Sequence, residues 1–322
     1  MNTLKKSYSF FSALLFLLTA ISTNEIYSQE VTRTNVTFDN GRYTLHGELI
    51  LPDTSQNAPV LIFLVGSGAN SSHRTIYKTF LEENVEALFL NEGIGLLYFD
   101  KRGVGKSEGK WQRTNLYERA DDAKAAIDFL KTQGRVDEER IGIIGHSQGG
   151  WVAQIIGDRY RNDIKFIASL AAPTFDVKLQ LTNDYYSRYL CGGEDDKTAF
   201  DKASKKANSD INWVSWFPVT KPWRQLKEIH EFDPTPHLQE IDIPAFFAFP
   251  ENDYFVYPGW AIGSLNETFE SSVPDNFSLQ IIPGANHDFR LAEKCTSDGE
   301  AARQPYSDYF QQVFKDWVLS NI

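Results

Sequence analysis

Residues 141–150 read IGIIGHSQGG, and this stretch decides the fold. Four residues typical of a buried strand run directly into the pentapeptide GHSQG, after which a helical pattern begins. This G-x-S-x-G spacing fits a sharp strand-to-helix turn that exposes the Ser147 hydroxyl at the edge of a sheet. Gly145 and Gly149 suit such a turn because its strained backbone leaves little room for side chains. The stretch predicts a nucleophilic serine; the alternative is a glycine-rich turn whose serine only caps a helix.

Strand and helix patterns alternate on both sides of this turn. A hairpin signal comes first, at residues 31–51. Short apolar runs then alternate with stretches of helical periodicity, which favours a mostly parallel, doubly wound sheet of about eight strands. The predicted strands are residues 60–65, 95–100, 141–144, 164–170, 243–249 and 277–282, and the predicted helices are residues 75–91, 116–133, 151–160 and 306–322.

Residues 174–240 interrupt the alternation. Their apolar periodicity is weak, charged residues are dense from 194 to 206, and Trp213, Trp216 and Trp223 cluster near the end. Such a stretch predicts a cap inserted into a core of residues 29–173 and 241–322. The cap aromatics either face an apolar binding pocket or simply hold the cap to the core, and the sequence leaves both open.

The chain as a whole is acidic and long enough for a sizeable core. It has 322 residues, of which 42% are hydrophobic, and a formal net charge of −11. This charge argues against nucleic acid or an anionic membrane surface as the main partner.

The N-terminus predicts a secretory signal peptide at residues 1–28. Lys5 and Lys6 precede an apolar stretch at residues 10–21 that is too short to span a membrane comfortably, and small and polar residues follow. We therefore expect an exported protein, periplasmic or secreted, with no stable membrane insertion after cleavage. In such a compartment Cys191 and Cys295 either form a disulfide or remain two free thiols.

Two strand ends after Ser147 supply partners for a nucleophile. A serine needs a base, and the base needs an acid that orients it. Asp253 follows the strand at 243–249, and His287 follows the strand at 277–282, so both stand where α/β sheets collect functional groups. Glu251 is a rival for the acid. Asp288 adjoins His287 too closely in sequence to reach the far side of its ring easily.

The chain order Ser147, Asp253, His287 around a serine turn resembles the α/β-hydrolase superfamily. The resemblance covers roughly residues 45–173 and 240–322. Within the superfamily the chain looks like the exported esterase and serine-peptidase-like branch, which has a Gly-Ser-Gly turn after its third strand. The resemblance implies Ser147 as nucleophile, His287 as general base and then general acid, and Asp253 as the group that holds the imidazole tautomer.

The resemblance also implies an oxyanion hole built from the backbone N–H groups of Ser67 and Gln148. The sequence DKRGVGKS at residues 100–107 fits the superfamily's turn after the fourth strand. We interpret it as a structural turn that braces the active-site loops, with substrate contact by Arg102 as the alternative. His146, beside the nucleophile, is interpreted as structural because the turn points adjacent side chains apart.

These assignments predict a serine hydrolase that cleaves carboxylic esters and needs no metal or organic cofactor. A serine aminopeptidase or small-peptide hydrolase is the first alternative, since the same triad cleaves esters and amides. Acyl transfer to an acceptor other than water stays open. A non-catalytic binding protein on the same fold is the alternative from another class, and the complete triad argues against it. The expected partner is a small ester or short peptide; the oligomeric state is left open.

Overall fold

The computed structural model describes residues 30–53, 55–69 and 72–322, and these form one eight-stranded sheet in the order β1-β2-β4-β3-β5-β6-β7-β8. β2 runs antiparallel to β1 and β4, and the remaining neighbours pair in parallel. This arrangement confirms the predicted mostly parallel α/β sheet. The strands are β1 (Val31–Asp39), β2 (Thr44–Pro52), β3 (Ala58–Leu64), β4 (Gly95–Phe99), β5 (Val136–His146), β6 (Phe166–Leu170), β7 (Ala245–Pro250) and β8 (Phe277–Ile282).

Helices cover both faces of the sheet. One apolar layer joins it to α3, α4, α8 and α9, and a second joins it to α1, α2 and α11. The described helices are α1 (Lys78–Leu81), α2 (Ala87–Phe89), α3 (Leu116–Lys131), α4 (Gln148–Arg159), α5 (Val177–Cys191), α6 (Asp196–Trp216), α7 (Lys221–Ile229), α8 (Thr235–Glu240), α9 (Pro258–Thr268), α10 (Asp298–Ala301) and α11 (Asp308–Asn321).

The central strand β3 shows why the sequences of the parallel strands are continuous apolar runs. All of its residues are buried. Ile62 and Leu64 point into one apolar layer, and Leu61 and Phe63 into the other. Since successive side chains of a strand face opposite sides, a strand covered on both faces needs an apolar residue at every position.

The segment predicted as one helix at residues 75–91 is instead divided. A π-helical turn (Glu82–Glu86) separates α1 from α2. The buried Asn84 side chain donates a hydrogen bond to the carbonyl oxygen of Phe80 at 3.2 Å. This bond occupies an acceptor of the helical ladder, which is a known cause of local irregularity and could not be read from the apolar spacing.

The predicted cap segment, residues 174–240, contains α5, α6, α7 and α8. The long helix α6 packs against α5 through a stripe of small residues, Ala199, Ala203 and Ala207. Because alanine is only slightly more hydrophobic than its polar neighbours, a buried stripe of alanines produces only a weak hydrophobic periodicity in the sequence. Two of the aromatic residues in this segment, Trp213 and Trp216, are 56% and 80% exposed and do not line the cavity over Ser147, so they support neither alternative, a pocket-facing side chain or one that holds the segment to the core.

A disulfide links helix α5 of the predicted cap segment to the loop that follows His287. Cys191, at the end of α5, is bonded to Cys295 in the loop that follows His287, with 5.6 Å between the Cα atoms. The structure thus selects one of the two alternatives that the sequence left open. The bond closes a segment of 104 residues that includes most of the cap.

The predicted signal peptide lies outside the described residues. Within residues 30–53, 55–69 and 72–322, no helix is both long enough and apolar enough to cross a bilayer.

Candidate active site

Ser147 stands at the junction of β5 and α4 in a strained conformation. Its φ is 53° and its ψ is −126°, a region that residues with a side chain rarely occupy. A Cβ atom on Gly145 would overlap the carbonyl oxygen of Gly149, and one on Gly149 would overlap the carbonyl oxygen of Leu64. The two glycines of the sequence pattern are therefore required by close backbone contacts around the serine.

Asp253 and His287 meet as an acid–imidazole pair. Asp253, in the loop after β7, is fully buried. Its Oδ1 accepts hydrogen bonds from the backbone N–H groups of Phe255 at 2.8 Å and Val256 at 2.9 Å. Its Oδ2 lies 2.7 Å from Nδ1 of His287. A carboxylate fixed in this way holds His287 with a proton on Nδ1 and leaves Nε2 for a proton acceptor role.

The charge of Asp253 also changes the proton affinity of His287. Burial alone would lower the pKa of His287, but the charge and hydrogen bond of Asp253, with smaller contributions from Asp288 and Asp184, raise it. A raised pKa favours uptake of a proton by the imidazole and stabilises the imidazolium once it has formed.

The rival carboxylates take other places. Oε2 of Glu251 accepts a hydrogen bond from the backbone N–H of Gly284 at 2.8 Å, so it shapes the loop that carries His287. Asp288 lines the cavity beside His287. Of these candidates for the acid, Asp253 is the one bonded to the imidazole.

His146 belongs to a chain of hydrogen bonds that links the loop after β3, which contains Gly66, to the loop after β8, which contains His287. The N–H of Gly66 donates to Oη of Tyr77 at 2.9 Å, and that hydroxyl lies 2.8 Å from Nδ1 of His146. Nε2 of His146 lies 2.9 Å from the carbonyl oxygen of His287. A carbonyl only accepts, so Nε2 carries the proton and Tyr77 donates to Nδ1. His146 is structural, as the sequence indicates, and it positions both loops.

Ser67 and Gln148, whose N–H groups are the predicted oxyanion donors, line the same cavity as Ser147 and His287. Their surroundings contain two cations that sequence reasoning missed. Nζ of Lys101 donates to the carbonyl oxygen of Gly66 at 2.6 Å, and Arg119 donates to the side-chain oxygen of Gln148 at 2.8 Å. No sequence signal distinguishes these two cations from surface ones, because their partners are distant in the chain.

Arg102 does not face the cavity. Its Nε and Nη2 donate to the carboxylate of Asp122 and its Nη1 to Glu118, at distances between 2.8 and 3.0 Å. These bonds join the turn after β4 to helix α3. Arg102 therefore has the structural role that the sequence indicated, and it does not contact a substrate in this cavity.

The cavity over Ser147 has a volume of about 740 Å³, within the range of small-molecule sites. The predicted cap segment contributes four apolar side chains to its lining, Val177, Leu181, Leu226 and Ile229, and two polar ones, Gln180 and Asp184. The lining as a whole includes three carboxylates, those of Asp184, Asp288 and Asp298. Burial raises the pKa of Asp184 to about 6. Within the described part of the chain, no cluster of three or more His, Cys, Asp or Glu side chains suits a metal ion.

Known proteins resemble the chain in sequence. A family model described as X-Pro dipeptidyl-peptidase (S15 family) matches residues 40–215, more than half of the chain. The esterase EstD of Thermotoga maritima is 25% identical over 214 residues, which are 66% of this chain and 50% of that protein. The bifunctional esterase/perhydrolase DCH of Acinetobacter calcoaceticus is 30% identical over 227 residues, 62% of this chain and 76% of that protein. The chain thus spans only half the length of the Thermotoga relative.

Solved structures share the fold over most of the chain. Est1E from Butyrivibrio proteoclasticus, solved with ferulic acid bound, has a TM-score of 0.59 at 18% identity and covers 89% of this chain and 98% of its own. The Pyrococcus furiosus esterase Pf2001 has a TM-score of 0.60 at 18% identity and covers 91% and 92%. At this identity the likeness concerns the fold alone, and the predicted α/β-hydrolase fold is confirmed. Together with the family match, these findings show that the chain belongs to the X-Pro dipeptidyl-peptidase (S15) family of the α/β-hydrolase superfamily.

Proposed function

We propose that the protein is a serine esterase that cleaves small carboxylic esters through an acyl-enzyme on Ser147. The observation that carries this proposal is that His287, which is bonded to Asp253, lines the same cavity as Ser147, whose backbone is strained. His287 acts as the base and then the acid, and Asp253 fixes its tautomer.

In the first half of the reaction, Oγ of Ser147 attacks the ester carbonyl carbon while its proton passes to Nε2 of His287. The carbonyl oxygen becomes an oxyanion, which accepts hydrogen bonds from the N–H groups of Ser67 and Gln148. The tetrahedral intermediate then collapses. The bond to the alcohol oxygen breaks, and that oxygen takes the proton from His287.

In the second half, water replaces the alcohol. His287 takes a proton from the water as its oxygen attacks the acyl carbon, and the same two N–H groups receive the second oxyanion. The bond to Ser147 breaks and Oγ regains its proton from His287. The acid product leaves, and every group returns to its starting state.

The shape of the cavity and the identity of the relatives support an ester substrate. Val177, Leu181, Leu226 and Ile229 give the cavity apolar surface suited to an acyl chain or a hydrophobic alcohol. The two relatives described above, which match 66% and 62% of this chain, are both named as esterases. A cavity of about 740 Å³ fits a small molecule rather than a folded protein.

A second candidate function, hydrolysis of short peptides, is favoured by one observation besides the family match. Asp184, Asp288 and Asp298 line the cavity, and such carboxylates attract a free amino group. A peptide with an unblocked N-terminus would place that ammonium near them while its carbonyl reached Ser147. The same triad performs both reactions, so the substrate decides between them.

A chromogenic panel separates the two functions. We would measure turnover of acyl esters from acetyl to decanoyl beside a series of aminoacyl anilides, with Ser147→Ala as the control. The proposal expects ester turnover that exceeds anilide turnover, falls for long acyl chains and disappears in Ser147→Ala. Anilide turnover above ester turnover would assign a peptidase. Equal ester turnover by Ser147→Ala would overturn both functions.

We also propose that the protein acts outside the cytoplasm. The disulfide between Cys191 and Cys295 supports this, because such bonds persist in oxidising compartments. The test is the mass of the mature protein in each cell fraction. Export predicts a chain shortened by about 28 residues in the periplasm or medium; a full-length chain confined to the cytoplasm would contradict it.

A further inference from the structure

Two buried cations lie behind the predicted oxyanion hole. Lys101, in the turn after β4, is 4% exposed, and Arg119, on α3, is 6% exposed. Lys101 donates to the carbonyl oxygen of Gly66 at 2.6 Å. Arg119 donates to the carbonyl oxygen of Val65 at 2.5 Å and to the side-chain oxygen of Gln148 at 2.8 Å. All three acceptors belong to the segments that form the proposed hole.

The partners of these cations are unusual for buried charges. A buried cation is normally paired with a carboxylate, since its loss of hydration is otherwise costly. Arg102 follows this rule through its bonds to Asp122. Among the described residues, by contrast, the hydrogen bonds of Lys101 and Arg119 go to uncharged carbonyl oxygens. Burial accordingly lowers the pKa of Lys101 and lowers that of Arg119 to about 10.

Peptide geometry connects Lys101 to the oxyanion hole. The described chain contains no cis peptide bond, and in a trans peptide the C=O and N–H groups point in opposite directions. The peptide whose oxygen binds Lys101 is the one between Gly66 and Ser67. Its N–H is that of Ser67, so an ammonium behind the carbonyl holds this N–H toward the cavity.

Arg119 fixes the preceding peptide and the opposite wall. Its bond to the oxygen of Val65 orients the peptide whose N–H, that of Gly66, donates to Tyr77. Its bond to the side chain of Gln148 reaches the first residue of α4, the second predicted donor. One guanidinium thereby joins both halves of the hole.

We infer that Lys101 and Arg119 are positioning residues for the oxyanion hole, orienting its two N–H donors and polarising the peptides that carry them. The inference rests on the proposed serine hydrolase function. A cation on a carbonyl oxygen strengthens the N–H of the same peptide as a donor. It also places fixed positive charge near the developing oxyanion, where transition states gain most from electrostatic stabilisation.

The main test replaces Lys101 by a side chain of similar length without charge. For Lys101→Met we expect kcat on the best ester to fall about tenfold or more, with KM within about threefold, because the hole acts in the transition state. Lys101→Arg should restore most of kcat. The matched control is Arg102→Met, which removes a neighbouring buried cation that is bonded to Asp122 and should lower Tm while sparing kcat.

A boronic acid provides a readout that needs no substrate. Oγ of Ser147 adds to the boron and its proton passes to His287, which leaves a negatively charged tetrahedral boronate in the hole. Its Kd should rise in Lys101→Met by the same factor by which kcat falls. Should Lys101→Met fail to fold, Arg119→Lys keeps a charge but loses the forked geometry, and it should show the same loss of kcat and boronate affinity.

Unchanged kcat and boronate affinity in a folded Lys101→Met, or losses no larger than those of Arg102→Met, would overturn the inference alone. A native protein that neither hydrolyses esters nor binds the boronate would overturn the proposed function as well.

Discussion

The end of β5 and the loop after β8 each place an imidazole beside the same cavity, and the pKa values of the two rings are shifted in opposite directions. The ring centres of His146 and His287 are 4.9 Å apart. Burial, with the nearby charge of His287, lowers the pKa of His146 to about 4. Burial acts on His287 too, but Asp253 outweighs it and raises that pKa.

The hydrogen-bond partners of each imidazole, and not the imidazole itself, determine its role. His146 bonds to a hydroxyl and a carbonyl, which fix one neutral tautomer. His287 bonds to a carboxylate, which stabilises its charged form. One ring is therefore a rigid connector and the other is suited to carry a proton, although they lie side by side.

The largest expected effect comes from removing the carboxylate that creates the difference. Asp253→Asn should lower kcat by about 10³- to 10⁴-fold, because an amide no longer stabilises the imidazolium or enforces its tautomer. Steady-state kinetics on the best ester of the panel would measure this. Glu251→Gln, two residues away, keeps the His287–Asp253 bond and serves as the control; an equal loss in both variants would contradict the assignment of the acid.

The next effect concerns stability at acid pH. The pKa of His146 is lowered, so its contribution to stability is present above the unfolded value of about 6.5 and is lost as pH falls toward about 4. His287 has the opposite sign, since its raised pKa contributes stability at low pH that is lost as pH rises through that pKa.

Urea unfolding between pH 4.5 and 7.5 would measure this linkage. His146→Gln should flatten the acid loss of stability, whereas His287→Gln should steepen it. Identical pH slopes in the native protein and His146→Gln would show that His146 does not remain neutral in the fold.

The smallest expected effect isolates the connector role of His146. Tyr77→Phe removes the hydroxyl that accepts from Gly66 and donates to His146. We expect a loss of about 1–3 kcal/mol in the free energy of unfolding, because two buried groups lose a partner. A several-fold fall in kcat at constant KM should accompany it. Tyr309→Phe, which alters an exposed tyrosine, is the control. If Tyr77→Phe and Tyr309→Phe had the same stability and the same kcat, His146 and Tyr77 would have no positioning role in the reaction.

The sequence predicted the fold and the residues of the candidate triad because their signals are local. Ser147 is marked by glycines at fixed spacing, and Asp253 and His287 each follow an apolar strand by a few residues. Strand ends on one edge of a parallel sheet converge without further information.

The remaining features depend on contacts between distant parts of the chain. Lys101 meets Gly66 across 35 positions and Arg119 meets Val65 across 54, and neither residue carries a local signal. Helix α6 was not predicted because three of its five buried residues are alanines, which give little apolar periodicity. The Asn84 side chain competes with the backbone for the carbonyl oxygen of Phe80, and this divides a helical segment whose apolar spacing is regular.

The most direct test of the serine hydrolase assignment is the rate at which a fluorophosphonate labels the protein as a function of pH, with the labelled peptide identified by mass spectrometry. We predict a single label on Ser147, absent from Ser147→Ala. We also predict a rate that rises with pH through one ionisation above about 6.5, the usual value for histidine, as expected if His287 must be neutral to accept the proton. A label on another residue, or a rate that follows a group near pH 4, would contradict the assignment of Ser147 and His287.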